Sequence, residues 1–536
     1  MPARTLPRFV LFSLALALAL SFRAPASAEP LAGLPQNTLA AIKARLAKAQ
    51  GSRGDMACVI IDLDSGKSLL DESGASLLAP ASNMKVLTSA AALATLGSDF
   101  EFVTRVMAQG SVQGGVLQGD LCIVGGGDPN LSGRFYGDDP LALFRDWGNR
   151  LKALGITQVS GNLLYDSTLF GGDPNLSGRF YGDDPLALFR DWGNRLKALG
   201  ITQVSGNLLY DSTLFGGESF NPHWPQDDQF NRWYCAEVSA LAFNDNCINV
   251  KVTPGEVGQP ARIELVPATA YCSVVNETRT TAGKGAALID LRREKGANVI
   301  RVKGNVPAHG QGGFVGEITV ADPAAFAATV FRETLEACGV RVTGQSRAHT
   351  LGADELPRFR TLIEHRARLV EALKPVNTNS QNLHAEMLLR QLGLAYAGKG
   401  TFKTGAAALQ DWLAKNQLWD NGMVLADGSG LASANRVTAR SLAKTLALMA
   451  RRNDAELFVA SMAVGGESGT LKKRMYDKRL KGRVYAKTGY INGVRALSGY
   501  LHGTRHRVAF SILMNGCAEG TGAQDDILAL LAEALD

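Results

Sequence analysis

The distribution of helix-type and strand-type segments along the 536-residue chain restricts its fold more than any other feature. Near the N-terminus, apolar patterns predict strands at Ala57–Leu63 and Ser68–Asp71 and a buried helix at Met84–Leu96. Residues 100–360 are rich in Gly and in short strand signals, and helical periodicity returns only after Leu369. We therefore expect the two ends of the chain to pack as one α/β domain that encloses a β-rich insertion.

The C-terminal part of the chain contributes most of the predicted elements of this domain. Apolar periodicity predicts helices at Leu383–Leu392, Ala406–Leu413, Val437–Met449 and Asp526–Leu535 and strands at Gly482–Tyr485, Val494–Leu501 and Arg507–Met514. The last helix is acidic and amphipathic, which is a poor match for a basic helix that lies on a membrane.

The first 28 residues are predicted to be a secretory signal peptide. Two arginines precede the apolar run Phe9–Phe22, and Ala26-Ser27-Ala28 forms a small-x-small cleavage signal before Glu29. The apolar run is shorter than the about 20 residues that span a bilayer. We expect removal of residues 1–28 and a mature protein that is soluble in the periplasm, with at most peripheral membrane contact.

Charge and motif content exclude several classes of function. Lys and Arg outnumber Asp and Glu by only 56 to 50, an excess too small to indicate nucleic acid as a partner. No Cys-x-x-Cys, H-E-x-x-H, G-x-S-x-G or phosphate-binding loop is present, so we expect neither a metal nor another cofactor. The seven cysteines are an odd number, and we expect buried small apolar residues with one or two bridges.

An exact tandem repeat occupies the middle of the chain, where Gly126–Phe170 recurs residue for residue as Gly171–Phe215. Each copy carries a predicted helix, Leu141–Leu154 in the first copy, and a predicted strand, Thr157–Tyr165. Two identical units are not a solenoid, whose repeats diverge and number three or more. We expect one copy to be surplus to the fold and to form an additional helix-strand unit on a peripheral domain.

Three short motifs carry the chemistry: Ser82-Asn83-Met84-Lys85, Ser380-Gln381-Asn382 and Lys487-Thr488-Gly489. Residues three apart on a helix share a face, so a Ser82 hydroxyl at the start of the predicted helix lies within reach of the Lys85 amine. A serine hydroxyl needs a base, and a lysine can act as one when burial and a second cation, here Lys487, lower its pKa. The helix N-terminus favours the oxyanion that forms on attack.

Each motif alone is weak, because the same patterns recur elsewhere in the chain. Further matches are Ser441-Leu442-Ala443-Lys444, Lys403-Thr404-Gly405, Ser433-Ala434-Asn435, Ser160-Gly161-Asn162 and Ser205-Gly206-Asn207. Ser441 lies inside a predicted helix and Lys403 in a loop that enters one. Ser82 instead opens a helix, and Lys487 lies between strand-like runs, where it can line a sheet edge. This context selects the first three motifs.

Longer segments around these motifs resemble the D-alanyl-D-alanine carboxypeptidase/endopeptidase family, the low-molecular-mass class C penicillin-binding proteins. The segments that carry the resemblance are Leu373–Asn377, Ser380–Leu389, Asp427–Leu431, Asn435–Thr438, Gly469–Leu471, Gly119-Asp120 and Gly125–Pro129. The resemblance spans nearly all of the predicted mature chain. It implies an α/β (α+β) penicillin-binding/serine β-lactamase-type transpeptidase domain, with β-rich domains inserted between the first and second motifs.

The resemblance also implies domain boundaries and shows two departures. The implied parts are a catalytic domain of residues 29–104 and 360–536, an inserted domain II of residues 105–258 and 348–359 that contains the repeat, and an inserted domain III of residues 259–347. The family has no exact tandem repeat. Tyr490 follows the third motif, where a small hydroxyl residue is more usual, although only its backbone N–H would be needed.

The resemblance assigns catalytic roles to residues of the first two motifs. Ser82 would be the acylated nucleophile, and Lys85 would be its general base. Ser380 would relay a proton to the leaving D-alanine. Asn382 would hold the substrate amide together with the Lys85 amine.

Substrate contacts are implied at the third motif and in the insertion. Lys487 and Thr488, in the motif that ends at Gly489, would bind the terminal carboxylate. Backbone N–H groups of Ser82 and Tyr490 would form the oxyanion hole. Asp211, or its duplicate Asp166, would contact the amino group of the diamino acid in the stem peptide, although a turn residue is the simpler interpretation of either one.

The implied activity is that of a serine-type D-Ala-D-Ala carboxypeptidase and/or DD-endopeptidase. It would act on peptidoglycan stem peptides through an acyl-enzyme on Ser82, and β-lactams such as penicillin would inhibit it covalently. A β-lactamase or esterase on the same fold is an alternative, which rapid turnover of penicillin would indicate. A non-catalytic periplasmic binding or sensor protein is another, which a failure of fluorescent penicillin to label Ser82 would indicate.

Overall fold

The computed structural model describes most of the chain after residue 30. The described residues are 31, 33–108, 111–113, 116–118, 121–124, 158–159, 163–166, 186, 190, 203–204, 208–211, 213–240, 242–309, 313–337, 341–342, 346–348, 350, 352, 354–355, 358 and 360–536. The predicted signal peptide and the predicted helix Leu141–Leu154 lie outside them. Among the described helices, none is long and apolar enough to cross a bilayer.

The first of two compact units comprises Met1–Ser98, Leu373–Ala385 and Ala406–Asp536, and its centre is a six-stranded antiparallel sheet. From edge to edge its strands are Ser68–Glu72, Asp55–Asp62, Arg507–Asn515, Val494–His502, Val484–Ile491 and Ala463–Val464. The N-terminal strands therefore pair directly with C-terminal ones. This pairing confirms the prediction that the two ends of the chain pack together.

Helices cover both faces of this sheet. Those wholly within the unit are Gln36–Gln50, Met84–Leu96, Ala439–Ala450, Ala455–Ala460 and Gly522–Leu535, and three more contain residues of both units, Leu369–Thr378, Asn382–Ala397 and Phe402–Lys415. Ile42 and Leu531, from the first and last helices, share one buried cluster with Phe510 of the sheet. The strand Arg507–Asn515 is buried at every position between its ends, as expected for a strand covered on both faces.

The second unit comprises Asp99–Ala372 and Glu386–Gly405 and is rich in short strands. Its six-stranded sheet has the order Ser346–Ala348, Leu208–Asp211, Leu163–Asp166, Leu121–Val124, Glu101–Ala108 and Arg360–Arg368. Smaller sheets join Arg262–Val266, Cys247–Thr253 and Phe314–Thr319, and Ser273–Thr281, Val299–Pro307 and Leu288–Arg292. Pro323–Ala337 is a helix of this unit. The β-rich character predicted for residues 100–360 is confirmed, and the boundaries of domains II and III stay a prediction.

The two repeat copies contribute equivalent strands side by side. Leu163–Asp166 of the first copy and Leu208–Asp211 of the second pair in parallel, with identical residues opposite each other. The first copy pairs further with Leu121–Val124, which precedes the repeat, and the second copy with Ser346–Ala348, which follows it. The second copy therefore adds one strand inside a sheet.

The smaller sheets around the repeat follow the same division. Gln158–Val159 of the first copy pairs with Val116–Gln118, whereas the equivalent Gln203–Val204 pairs with Arg341–Val342. A single copy could pair with both partners, one on each edge. After the duplication, each copy of the strand keeps one of these two partners.

The cysteines of the described chain do not form the expected bridges. The five whose side chains are described, Cys58, Cys235, Cys247, Cys272 and Cys517, form no disulfide. All but Cys517 are buried, in agreement with the prediction that they pack as small apolar residues. The side chains of Cys122 and Cys338 lie outside the described part.

Candidate active site

Ser82 lies in a single 3₁₀ turn, Ala81–Asn83, directly before the helix Met84–Leu96. The helix begins and ends where its apolar pattern predicts, and every residue from Met84 to Leu93 is buried. Ala81 has a φ of 47°, in the left-handed region that non-glycine residues rarely adopt. Such strain is common at functional sites, and here it occurs at the turn that presents Ser82 at the end of a buried helix.

The Lys85 side chain is fully buried and its amine meets three oxygen atoms. Its Nζ lies 3.0 Å from the Ser82 Oγ, 2.6 Å from the Asn382 Oδ1 and 2.6 Å from the Ser429 carbonyl oxygen. The carbonyl-type oxygens of Asn382 and Ser429 can only accept hydrogen bonds. A neutral amine has two N–H groups, which these two oxygens would occupy. Its lone pair would then face the Ser82 hydroxyl.

A second hydroxyl–amine pair is formed by the other two motifs. The Lys487 Nζ donates to the Ser380 Oγ at 2.9 Å and to the Thr488 carbonyl oxygen at 2.6 Å. Burial lowers the pKa of the Lys487 amine well below its ordinary value, and the positive charge of Lys85 lowers it further. Ser380 has a φ of 64°, a second strained residue at a motif hydroxyl.

The strand that carries Lys487, Val484–Ile491, has an open edge. Its hairpin neighbour pairs with it along its whole length, whereas Ala463–Val464 pairs on the other side only at Tyr485 and Ala486. From Lys487 onward, no strand in the described part of the chain pairs on this side, so the edge can accept an added strand there. The structure thus extends the strand through Lys487, beyond the end predicted at Tyr485.

Gly489 lets this strand approach the turn that holds Ser82. A Cβ atom added at Gly489 would lie 2.8 Å from the Pro80 carbonyl oxygen and 3.2 Å from the Ala81 Cβ. Such distances are too short for ordinary side chains, so a glycine is needed there. The third motif ends in glycine because two backbones meet at this point.

The two residues that flank Gly489 have different surroundings. The Thr488 Oγ1 donates to the Thr470 Oγ1 at 2.8 Å, so Thr470 orients a hydroxyl at the cleft. Tyr490 is 65% exposed, and the Arg495 guanidinium stacks on its ring at 3.9 Å from the centroid. The large side chain of Tyr490 therefore points away from the packed interior and leaves room for its backbone to line the cleft.

The motif residues thus form two hydrogen-bonded groups. One contains Ser82, Lys85 and Asn382, and the other contains Ser380, Lys487 and Thr488. Lys85 of the first group lies close enough to Lys487 of the second for its positive charge to lower the pKa of the Lys487 amine. Lys85 and Asn382 are 297 residues apart along the chain, and Ser380 and Lys487 are 107 apart. Their contacts agree with the selection of these motifs.

The competing motif matches are placed differently. Ser441 is buried inside the helix Ala439–Ala450, whereas Lys444 is exposed, so the two do not face one cleft. Lys403 lies in the first turn of the helix Phe402–Lys415 and not in the predicted loop before it, and a helix offers no strand edge. Asn435, in the match Ser433-Ala434-Asn435, has a structural contact instead. Its side-chain amide donates a hydrogen bond to the Asp427 carboxylate, two residues before Ser429.

Sequence reasoning missed the Ser429 carbonyl as a partner of Lys85. Its signal was the segment Asp427–Leu431, which carried the family resemblance but received no role. The expected substrate contact of Asp211 stays a prediction. Its backbone lies in the strand Leu208–Asp211 of the second unit, and its side chain lies outside the described part of the chain.

One cluster of described residues could offer three ligands to a metal ion, and it is not part of this site. Ligand atoms of Asp62, Asp64 and His506 lie within 4.8 Å of one another. Asp64 already accepts from the Arg507 guanidinium at 3.1 Å, and this positive charge opposes a second cation. We therefore assign no metal to the cluster.

Comparison with known proteins agrees with this geometry. The sequence profile of the D-Ala-D-Ala carboxypeptidase 3 (S13) family matches residues 38–189 and 169–535. The two matched ranges overlap at the junction between the repeat copies, as expected for a family with a single copy. A D-alanyl-D-alanine carboxypeptidase of Actinomadura sp. (strain R39) is 34% identical over 490 residues, which cover 89% of this chain and 80% of the relative.

Two further matches come from Haemophilus influenzae. Its D-alanyl-D-alanine carboxypeptidase DacB is 25% identical over 470 residues, which cover 86% of this chain and 85% of the relative. The crystal structure of its penicillin binding protein 4 (dacB) superposes with a TM-score of 0.69 at 21% identity, over 93% of this chain and 99% of that one. The structural match supports the fold. The chain therefore belongs to the D-Ala-D-Ala carboxypeptidase 3 (S13) family and is a serine-type D-Ala-D-Ala carboxypeptidase with a penicillin-binding fold.

Proposed function

We propose that Ser82 is the residue acylated by D-Ala-D-Ala peptides of peptidoglycan, and that Lys85 is its base. The observation that carries this proposal is the Lys85 amine, buried and held by the Asn382 and Ser429 oxygens at 2.6 Å with the Ser82 hydroxyl at 3.0 Å. The Asn382 and Ser429 oxygens accept from the N–H groups, which orients the lone pair toward the Ser82 hydroxyl. A general base must lie within hydrogen-bond reach of the proton that it removes, and Lys85 does.

Acylation then proceeds by proton transfer and attack. The Ser82 Oγ bonds to the carbonyl carbon of the penultimate D-alanine, and its proton moves to the Lys85 Nζ. The carbonyl oxygen becomes an oxyanion, which backbone N–H groups of Ser82 and Tyr490 stabilise together with the N-terminal end of the helix Met84–Leu96. Preorganised donors of this kind usually make the largest single contribution to such a reaction.

The second amine sets the charge of the site. Two buried ammonium groups in one cleft repel each other, so the pair favours a single positive charge. The terminal carboxylate of a D-Ala-D-Ala substrate, bound beside Lys487 and Thr488, stabilises that charge on Lys487. Lys85 is then left neutral, which is the state that can accept the Ser82 proton. In this way the substrate that carries the correct carboxylate also prepares the base.

The leaving group needs a proton, and Ser380 is placed to deliver it. Its hydroxyl accepts from the Lys487 amine at 2.9 Å and can donate to the departing amine of the terminal D-alanine. The C–N bond breaks as that amine takes up its proton, and D-alanine or a cross-linked peptide strand departs. The proton that Lys85 took from Ser82 replaces the one that Ser380 gave away, so Lys85 is neutral again and Ser380 is again a hydroxyl. Water then attacks the acyl carbonyl carbon as Lys85 takes up a proton of that water. The C–O bond to Ser82 breaks, the Ser82 oxygen regains a proton from Lys85, and the shortened peptide is released.

The open strand edge supports binding of an extended stem peptide. Backbone groups from Lys487 to Ile491 would pair with the peptide as an added strand, and the third motif would hold its carboxylate. A β-lactam presents a comparable amide and carboxylate and would acylate Ser82 in the same pose, as a covalent inhibitor. We place the enzyme in the periplasm, after removal of residues 1–28, because its substrate is the cell wall.

Release of D-alanine from a synthetic pentapeptide that ends in D-Ala-D-Ala tests the proposal. Ser82→Ala should abolish release, because the nucleophile is removed. Ser441→Ala is a matched control from the other S-x-x-K pattern, and it should release D-alanine at a rate close to that of the unaltered enzyme. Normal release by Ser82→Ala, or loss of release by Ser441→Ala alone, would overturn the assignment.

A further inference from the structure

The loop that supplies the Ser429 carbonyl is held by hydrogen bonds to two buried side chains, Asp427 and Asn435. The Asp427 carboxylate accepts four hydrogen bonds, from the Gly430 and Ala432 backbone N–H groups and the Asn435 amide at 2.7 Å each, and from the Ser429 hydroxyl at 3.2 Å. Asp427, Ser429 and Asn435 are all fully buried. A buried carboxylate that receives these donors restricts the backbone around it, so Asp427 contributes directly to the loop conformation.

Asn435 closes the loop from its other end. Its Oδ1 accepts from the Ala426 backbone N–H at 2.8 Å, and its Nδ2 donates to the Ala432 carbonyl oxygen at 2.9 Å as well as to Asp427. The side chain thus joins residues before and after the loop. We call Asp427 and Asn435 together the loop knot.

The loop also contacts the helix that carries Lys85 and the turn before it. The Thr88 Oγ1 donates to the Gly428 carbonyl oxygen at 2.8 Å. Gly430 has a φ of 80°, and an added Cβ atom there would lie 1.8 Å from the Ala81 carbonyl oxygen. The loop therefore contacts Ala81, directly before Ser82, and Thr88, about one helical turn after Lys85, with the Lys85 contact between these two points.

We infer that the loop knot is a positioning device for the catalytic base, because it holds the Ser429 carbonyl where it orients the Lys85 amine. The Ser429 acceptor belongs to the main chain, so its position can only be set by the conformation of the loop. Loss of that acceptor would remove one of the oxygen atoms that orient the Lys85 amine, and the alignment of its lone pair with the Ser82 hydroxyl would become less constant. Asp427 and Asn435 touch no reacting atom and act only through Ser429. This inference rests on the proposed role of Lys85.

Stopped-flow acylation by benzylpenicillin separates this role from a merely structural one. The concentration dependence yields the dissociation constant of the non-covalent complex and the first-order rate constant of acylation. Asp427→Asn keeps the size of the side chain but turns one acceptor into a donor that faces a backbone N–H. We expect the acylation rate constant to fall about 10- to 100-fold, because a hydrogen bond to a charged group is lost. The dissociation constant should stay within two-fold.

A second variant and a matched control complete the test. Thr88→Val keeps the shape of the side chain and removes the hydrogen bond to Gly428, and it should lower the acylation rate constant several-fold. If Asp427→Asn does not fold, this variant alone tests the positioning role. Asp62→Asn is the control, because Asp62 is also fully buried and caps a turn through Ser65 in the same unit. It should lower the melting temperature and leave the acylation rate constant unchanged.

The possible outcomes separate this inference from the function itself. If the unaltered enzyme is not acylated at all, the proposed function fails. If it is acylated, and both Asp427→Asn and Thr88→Val keep an acylation rate constant within two-fold of it, the positioning role is wrong. A weaker non-covalent complex with an unchanged acylation rate constant would equally overturn it, since that result would place the loop knot in substrate binding.

Discussion

Replacing Asn382 by Asp tests whether Lys85 must be neutral to act. The two side chains have nearly the same shape, so the 2.6 Å contact with the Lys85 amine can persist. The substitution adds a negative charge directly beside that amine. A charge of this sign stabilises the ammonium form and thereby removes the lone pair that the Ser82 hydroxyl needs.

The size of the effect follows from the distance. Two unit charges at about 4 Å, which allows for the spread of charge over both carboxylate oxygens, attract by about 4 kcal/mol at an effective dielectric constant of about 20. Burying the new carboxylate offsets part of this energy, and if half remains the gain is about 2 kcal/mol. Each 1.4 kcal/mol is about tenfold, so the neutral amine becomes about 30 to 1,000 times rarer.

The assay is the rate of acylation by a fluorescent penicillin between pH 6 and pH 10. Asn382→Asp should acylate about 30 to 1,000 times more slowly at neutral pH, and its rate should climb with pH over a range where the unaltered enzyme has levelled off. Asn382→Ala removes the acceptor without adding charge, so it should lose activity without this steeper pH dependence. An Asn382→Asp rate within a few-fold of the unaltered enzyme at neutral pH would refute the neutral-base argument.

Three further predictions follow from the same structure. Deletion of Gly171–Phe215 should give a folded enzyme whose rate of D-alanine release is within two-fold of that of the full chain. The remaining copy can pair with the strands that now pair with either copy, and an unfolded product would contradict this. Thr470→Val should raise the KM for a D-Ala-D-Ala peptide about five-fold with little change in kcat, since the Thr488 hydroxyl loses its partner, and a fall in kcat alone would argue otherwise. Lys487→Met should raise the melting temperature near neutral pH, because the folded protein binds the Lys487 proton less tightly than the unfolded chain does. That gain is full below the folded pKa and should vanish as the pH rises to the ordinary value of 10.5, so a gain that grows with pH would disprove the reasoning.

The framework of the catalytic unit could be predicted because its signals are local. The helix Met84–Leu96 is rich in Ala and Leu and is buried from Met84 to Leu93, and its predicted and observed ends agree. The strand Arg507–Asn515 was predicted to within one residue for the same reason. By contrast, the strand through Lys487 was predicted to end early, since Lys, Thr and Gly have little preference for strands and only pairing with the next strand holds them there.

The candidate site could be predicted in part, for a related reason. Side chains that carry chemistry, such as those of Ser82 and Lys487, stand out as residue types at fixed spacing. The Ser429 carbonyl has no such signal, because every residue has a carbonyl and only the folded loop decides where it points. Asn435 even matched a motif to which it does not contribute, and its use in the loop knot became visible only from its contacts.

The repeat was recognised in the sequence, but its placement was not. Identical copies have identical propensities, so no local rule can decide which neighbours each copy takes. The structure assigns the preceding strands to the first copy and the following strands to the second. Connection length favours this division, because each copy pairs with the segment nearest to it along the chain.

Mass spectrometry of the protein after brief exposure to benzylpenicillin tests the central claim most directly. The account predicts one covalent adduct of the mass of the intact drug, located by peptide mapping on Ser82 and absent from Ser82→Ala. An adduct on another residue, or labelling that survives this substitution, would contradict the account.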